Sequence, residues 1–186
     1  QYAWIYNIVA ELAQSMHLPM PKLWIVNTPM ANAFATGRNP QNASIAITTG
    51  IIDLLDHNEL RGVLAHELSH IKNRDTFVTT IAATIATAIG YLAHMLQYTA
   101  FWGSMGSNRR RGNPLAMLLV AILMPIAATI IQLAISRSRE YLADETGAHH
   151  CHDPLSLASA LEKLHYNIRY AHLNNTDTQR ASTASM

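Results

Sequence analysis

Charge is what this sequence has least of. Only 13% of its residues are Asp, Glu, Lys or Arg, about half the share usual in soluble domains. None of the four types occurs from Thr76 to Asn108 or from Gly112 to Ser136. Each gap has room for the roughly 20 residues that a membrane-spanning helix needs. Cysteine is scarce too. Cys151 stands alone, so no internal disulfide can form, and a disulfide-stapled secreted scaffold is excluded. The net charge of +1 and a single basic cluster, Arg109–Arg111, offer no electrostatic basis for nucleic-acid binding. Gln1–Gln14 lacks the pattern of a signal peptide, and the chain opens on Gln1 rather than Met, as expected of a piece of a longer protein.

Between these absences the pattern is readable. Trp4, Ile5, Ile8, Val9, Leu12, Ala13 and Met16 recur at helical spacing and predict an amphipathic helix over 4–16. Pro19 and Pro21 end it. Short β-like runs follow at Leu23–Val26, Asn32–Thr36 and Ser44–Thr49, with the Gly- and Pro-containing segment Gly37–Asn42 as the turn between the last two. A helix over Ile51–Leu55 leads to a second one for which Asp56 or Asn58 would be the N-cap. The uncharged runs then predict a pair of apolar helices, the stronger one over Leu115–Leu133. After Arg137 the chain turns polar again. Leu155–Leu164 reads as an amphipathic helix, and Asn174–Met186 as a Ser/Thr-rich flexible tail.

The chemistry is concentrated in Leu64–Asp75, LAHELSHIKNRD. His66 and His70 are four apart, which puts both imidazoles on one face of a helix. That is the arrangement by which one ion takes two nitrogens at about 2.0–2.1 Å. Glu67, one step around the helix, can take a proton from a water that the metal has acidified. In a chain with ten histidines a five-residue match is weak alone. A third ligand strengthens it. In Ser136–Ala148, SRSREYLADETGA, Glu140 and Asp144 are again four apart. Glu140 would complete a His/His/Glu set with a fourth position open. Asp144 could accept a hydrogen bond from the far nitrogen of a ligand histidine and fix its tautomer. The plainer reading of both carboxylates is a solvated acidic face beside Arg137 and Arg139. The cluster His149-His150-Cys151-His152 looks superficially like a metal site, but its spacing is too tight, and Gly147, Asp153 and Pro154 around it suggest a loop. Asp75 is either a support for His70 or a polar helix terminus.

With these residues in hand, the chain resembles the HtpX-type zinc metalloproteases, gluzincin relatives of the CAAX prenyl proteases. The resemblance runs almost end to end, through LPMPKLWIV, NAFATGRNP, AHELSHIKNRD, the paired apolar segments, SRSREYLADETGA and DPLSLASALEKL. It implies an integral membrane endopeptidase of protein quality control with its catalytic domain on the cytoplasmic side of the inner (plasma) membrane. It implies one zinc ion held by His66, His70 and Glu140, Glu67 as the catalytic base, and Asp144 holding His66. It also gives Asn32 and Ala33 a role, because in thermolysin-like enzymes an Asn-Ala-Phe edge strand binds the substrate backbone, as an exposed edge can. Family members usually carry two membrane helices before the position of Gln1 and a His-Pro-Pro-Leu segment after that of Met186. Neither is matched here.

The expected fold is therefore α+β and mainly helical: a zincin-like peptidase domain with a small antiparallel sheet, interrupted by a two-helix transmembrane hairpin. Residues 1–76 would carry the zinc helix, 77–135 the hairpin, 136–173 the third ligand, and 174–186 the tail. Arg109–Arg111 in the connector would pull it to the cytoplasm, and Lys72, Arg74, Arg137 and Arg139 would pull the opposite ends there. Either way, two spans bring both motifs back to one side. The partners implied are unfolded or membrane-protein substrates, the bilayer and other membrane proteases. The rival is a zinc-stabilised membrane module that binds without cutting, though a purely structural site has no use for Glu67. A soluble secreted zinc protease is disfavoured by the uncharged runs.

Overall fold

The computed structural model describes residues 2–103, 114–151 and 153–167. Arg109–Arg111, His152 and residues 174–186, to which the sequence assigned features, lie outside them. The described chain is mainly helical with a three-stranded sheet, and it divides into two compact units. One comprises the residues up to Arg74 and from Leu142 on; the other is Asp75–Tyr141.

The first unit opens with helix α1, Ala3–Ser15, which buries Ile5, Ile8, Val9, Leu12 and Ala13 along one stripe. Strands β1 (Lys22–Val26), β2 (Ala33–Gly37) and β3 (Ala43–Thr48) follow. The expectation of an antiparallel sheet is corrected. The order is β1-β3-β2, with β2 antiparallel to β3 but β1 parallel to it. Burial explains why. Of the three strands, β3 alone reads as an almost unbroken buried run, with Ala43, Ile45, Ala46 and Ile47 all inside, so it takes the centre. In β1 and β2 residues alternate between exposed and half-buried, as at edges. Thr48 then caps helix α2, Thr49–Leu54.

Helix α3, His57–Lys72, starts on a complete capping box. The Asp56 side chain accepts from the backbone N–H groups of Asn58 and Glu59, while Glu59 accepts from the N–H of Asp56. Leu60, Leu64 and Leu68, one face of α3, are fully buried with Ile5, Leu12, Ile45 and Ile47 in a single core. Arg74, at φ 54°, ends the turn beyond α3 in the left-handed region. The last turns of helix α5 (Pro114–Cys151) and helix α6 (residues 154–167) complete this unit.

The second unit holds helix α4, Asp75–Gly103, and α5 as far as Tyr141. Its apolar residues point outward: Phe77, Ile81, Ile85 and Leu92 on α4, and Leu123, Ile126, Ile130 and Leu133 on α5, are all exposed. Among the described residues one helix is long and apolar enough to cross a membrane, over Asp75–Met95, and only 6% of its most apolar window is buried. The threonines that interrupt the apolar pattern hide their hydroxyls. Thr80, Thr84 and Thr87 donate to carbonyls four residues back at 2.6–2.8 Å, and Thr129 does the same to Pro125. A hydroxyl satisfied within its own helix carries little polarity to the surface. Asp75, at the start of α4, pairs with Arg139 of α5 at 3.4 Å. The two ends of the apolar pair therefore meet.

Candidate active site

Helix α3 turns its apolar face to the core and leaves His66, Glu67 and His70 half-buried on the other side. The Nε2 atoms of His66 and His70 face each other at 3.1 Å, with the rings nearly perpendicular at 88°. Two nitrogens bound tetrahedrally to one ion at about 2.0–2.1 Å would stand roughly 3.3 Å apart. The observed spacing fits that demand within a small adjustment.

On the other side of His66, its Nδ1 lies 2.8 Å from Oδ1 of Asp144, within the reach at which a carboxylate can orient a ligand histidine. Asp144 reaches His66 because α5 passes unusually close to α3. A Cβ added at Gly147 would lie 3.1 Å from both the Cα and the N of His66, so glycine sets the approach. Glu140 lies one turn before Asp144 on the same uninterrupted helix and therefore on the same side. His66, His70 and Glu140 each offer a ligand atom, all within 4.8 Å of one another. Two imidazoles and a carboxylate suit zinc, and among the described residues no other group of this kind occurs.

Glu67 reaches the sheet. Its Oε2 accepts a hydrogen bond at 2.9 Å from the backbone N–H of Ala35. That N–H points away from β3, so by the alternation of a strand the main-chain groups of Ala33 point outward as well. Asn32 differs. Its carbonyl accepts from the N–H and hydroxyl of Thr48, and its N–H donates back to that hydroxyl. The main chain of Asn32 is thus committed to Thr48, and its exposed side chain is what it has to offer a substrate. Asn32, Ala33, His66 and Glu67 border a cavity of about 130 Å³, lined further by Val63 of α3 and Leu157, Leu161 and Leu164 of α6.

The sequence assigned no role at the site to Ala35, to Gly147, which it offered as a loop signal, or to the amphipathic helix that becomes α6. Ala35 belongs to a motif that was singled out, and only the sheet order shows its N–H at an open edge. The segment around Cys151 is corrected. Up to Cys151 it continues α5 rather than forming a loop, since Gly147 is needed for packing and not for a turn. Its side chains diverge: Cys151 is buried, while His150 contacts Ser15 and Lys72 at 2.9 Å. Asp75 is buried against Arg139.

Comparison with known proteins agrees with this geometry. The sequence model of peptidase family M48 matches residues 1–183. Over 166 residues the chain is 55% identical to a protease HtpX homolog of Aquifex aeolicus, covering 87% of this chain and 55% of that protein. It is 52% identical over 185 residues to a homolog from Syntrophobacter fumaroxidans, covering 98% of this chain and 64% of that one. With a Pyrococcus furiosus homolog it shares 51% over 171 residues, 92% of this chain and 59% of that protein. The chain thus spans 55–64% of the length of these relatives. A match across nearly its whole length, on top of the helix-borne His/His/Glu group, shows that the chain belongs to peptidase family M48, in which its similarity lies with the HtpX-type members.

Proposed function

We propose that the parent protein is a membrane-bound zinc endopeptidase that hydrolyses peptide bonds of misfolded or damaged proteins, membrane proteins among them. The observation that carries this reading is the convergence of His66, His70 and Glu140 beside a carboxylate, Glu67, that touches an open strand edge. His66, His70 and Glu140 are the ligands, and Asp144 orients His66. Zinc bound there would act as a Lewis acid toward the scissile carbonyl and toward water. Glu67 takes the proton of the attacking water and returns it to the leaving amine. The outward main-chain groups of Ala33 on β2 pair with an extended substrate and run it past Glu67, with the Asn32 side chain as a further contact. Recognition through main chain tolerates many side-chain sequences, which suits a quality-control protease.

The apolar helix over Asp75–Met95 and the similarity to HtpX homologs support a location in the inner membrane. In this reading α4 and the apolar part of α5 form a two-span hairpin, with the peptidase unit on the cytoplasmic side. The resemblance to HtpX-type proteases supports that orientation; the charges alone do not decide it, because Arg109–Arg111 oppose Lys72, Arg74, Arg137 and Arg139.

The deciding experiment uses the full-length protein in detergent with an unfolded casein as substrate. Wild type and Glu67→Gln are run side by side, with bound zinc quantified in each. Both are expected to hold one zinc and only wild type to cut, with a loss in the variant of about 10²–10⁴-fold or more. Two zinc-loaded proteins that both fail to cut would favour a silent binding module. Absence of metal from both would overturn the assignment of the ligands.

A further inference from the structure

We propose that the outer face of the sheet is a docking surface for anionic lipid, by which the first unit rests on the bilayer that α4 enters. The proposal rests on the membrane reading above and adds to it a second, peripheral contact. Strand register sets the face. Trp24 of β1 and Phe34 of β2 both stand opposite Ala46 of β3, so the three share one side of the sheet. Ile45 and Ile47 of β3 point to the other side and into the core. On the outer side Trp24 is 59% exposed, Phe34 47%, and Val26, two residues on from Trp24, 43%. Ala46 between the two rings is buried. A sheet packed on its inner face thus holds an apolar, aromatic surface outward.

Charge complementarity names the partner. No Asp or Glu occurs from Leu12 to Ile52, a stretch that contains all of β1, β2 and β3. Its Lys and Arg residues, Lys22 and Arg38, gather at one end of the sheet. Lys22 stands opposite Ser44, on the side of Trp24, and Arg38 directly follows Gly37, which pairs with Ala43. Tryptophan beside lysine, with no carboxylate near in sequence, suits the headgroup region, where the ring sits at the edge of the hydrocarbon and the cation meets phosphate. A second copy of the same face would set Lys22 and Arg38 against like charges, with no acid to offset them. The contact need not be strong. Helix α3 ends at Lys72 and α4 begins at Asp75, so a short tether keeps this unit at high local concentration beside any bilayer that α4 enters. A sheet lying flat on headgroups keeps its edges parallel to the membrane. The open edge of β2, whose Ala35 N–H meets Glu67, would then face chains leaving the bilayer.

The test places the full-length, zinc-loaded protein in nanodiscs, with an environment-sensitive fluorophore on the thiol of Val26→Cys. Cys151 is buried and escapes the label. One set of discs is phosphatidylcholine alone; the other carries about one-third phosphatidylglycerol, enough for a negative surface potential. The label is expected to brighten several-fold and shift to shorter wavelength in the anionic discs. Each basic side chain near an anionic surface is worth roughly fivefold, so Lys22→Gln with Arg38→Gln should lower the ratio of docked to undocked label about 25-fold. Salt at about 1 M, which shortens the screening length to about 3 Å, should act in the same direction. Zinc content and thermal unfolding establish that the variants are folded. A label equally dim in both sets of discs would overturn the proposal. So would a label as bright in detergent as in either disc, which would mean that another part of the parent chain covers the face. Brightness that grows with the number of proteins per disc would assign the face to a second copy instead. Failure of the protein to enter discs at all would overturn the membrane reading and the docking with it, whereas entry with an unresponsive label overturns the docking alone.

Discussion

The two units of this chain solve opposite solvation problems. In the first, Ile5, Leu12, Ile45, Leu60 and Leu64 are fully buried, and the exposed face of α3 carries polar residues. In the second, Phe77, Ile85 and Leu92 are more than half exposed, and no charged residue appears from Thr76 to the end of α4. The same residue types thus do different work. A leucine inside the first unit stabilises it by leaving water. An isoleucine on the outside of α4 can do so only if something apolar, such as lipid, covers it. His66, Glu67, His70 and Asp144 belong to the first regime: their precision comes from a packed core, a complete capping box and glycine-mediated close approaches.

Truncation gives the largest contrast. Leu64→Ala, in the core two residues before His66 on α3, is expected to cost about 2–5 kcal/mol of stability. Ile85→Ala, on an outward face of α4, should change the unfolding of the peptidase unit by less than about 0.5 kcal/mol. Denaturant titrations in detergent, read by zinc release, compare the two directly. Equal losses would abolish the distinction between the units. Slightly smaller is the effect of charge. Ile85→Lys should reduce insertion of the Asp75–Met95 segment into a bilayer by about 3 kcal/mol, measured as the fraction integrated against an untouched reporter segment. Unchanged insertion would show that α4 does not meet lipid at this position.

These differences bear on what could be read from sequence. Local order was legible. The spacing of Ile5, Ile8 and Leu12, the cap at Asp56 and the pair His66/His70 are all decided within a turn or two, and the helices appear where those signals place them. Glu140, far along the chain, was reached as a candidate third ligand by its four-residue spacing from Asp144, and the family resemblance then gave it the same role. The order of the sheet was not legible, because the parallel pairing of β1 with β3 is a non-local choice made by burying β3. The hydrogen bond from Ala35 to Glu67 depends on that order. Gly147 was misread for the same reason. Near a polar cluster a glycine looks like a turn, and only the partner helix shows that it is there for lack of a Cβ.

A more modest effect separates packing from chemistry at the metal. Asp144→Asn keeps the shape but removes the charge that favours the proton on Nδ1 of His66. Zinc affinity is expected to fall about 10–100-fold, read by competition with a chelator, with little change in the stability of the metal-free protein. Gly147→Ala should weaken zinc in the same assay while improving helix propensity, because the added methyl would press on the His66 backbone. If alanine left zinc affinity intact, close approach of α5 would not be what positions Asp144.

The smallest expected effect concerns Glu59, the one deeply buried carboxylate among the described residues of the first unit. Burial pushes its pKa up. Hydrogen bonds from Lys163, Ser159 and the Asp56 N–H, together with the Lys163 charge, outweigh burial and hold it below its ordinary 4.5. A carboxyl depressed on folding binds protons more readily in the unfolded chain. Its contribution is therefore fully present above about pH 4.5 and is lost as pH falls through the lower, folded value. Lys163 is 45% exposed, so solvent screens the pair and the contribution is on the order of 1 kcal/mol. Glu59→Gln retains an acceptor for the cap and removes only the charge. Stability of the two proteins, both metal-free so that the histidine titrations cancel, should differ by that amount at pH 7 and converge as pH falls through the folded value. A difference that never narrows on acidification would place the role of Glu59 in the shape of the α3–α6 contact rather than in its charge.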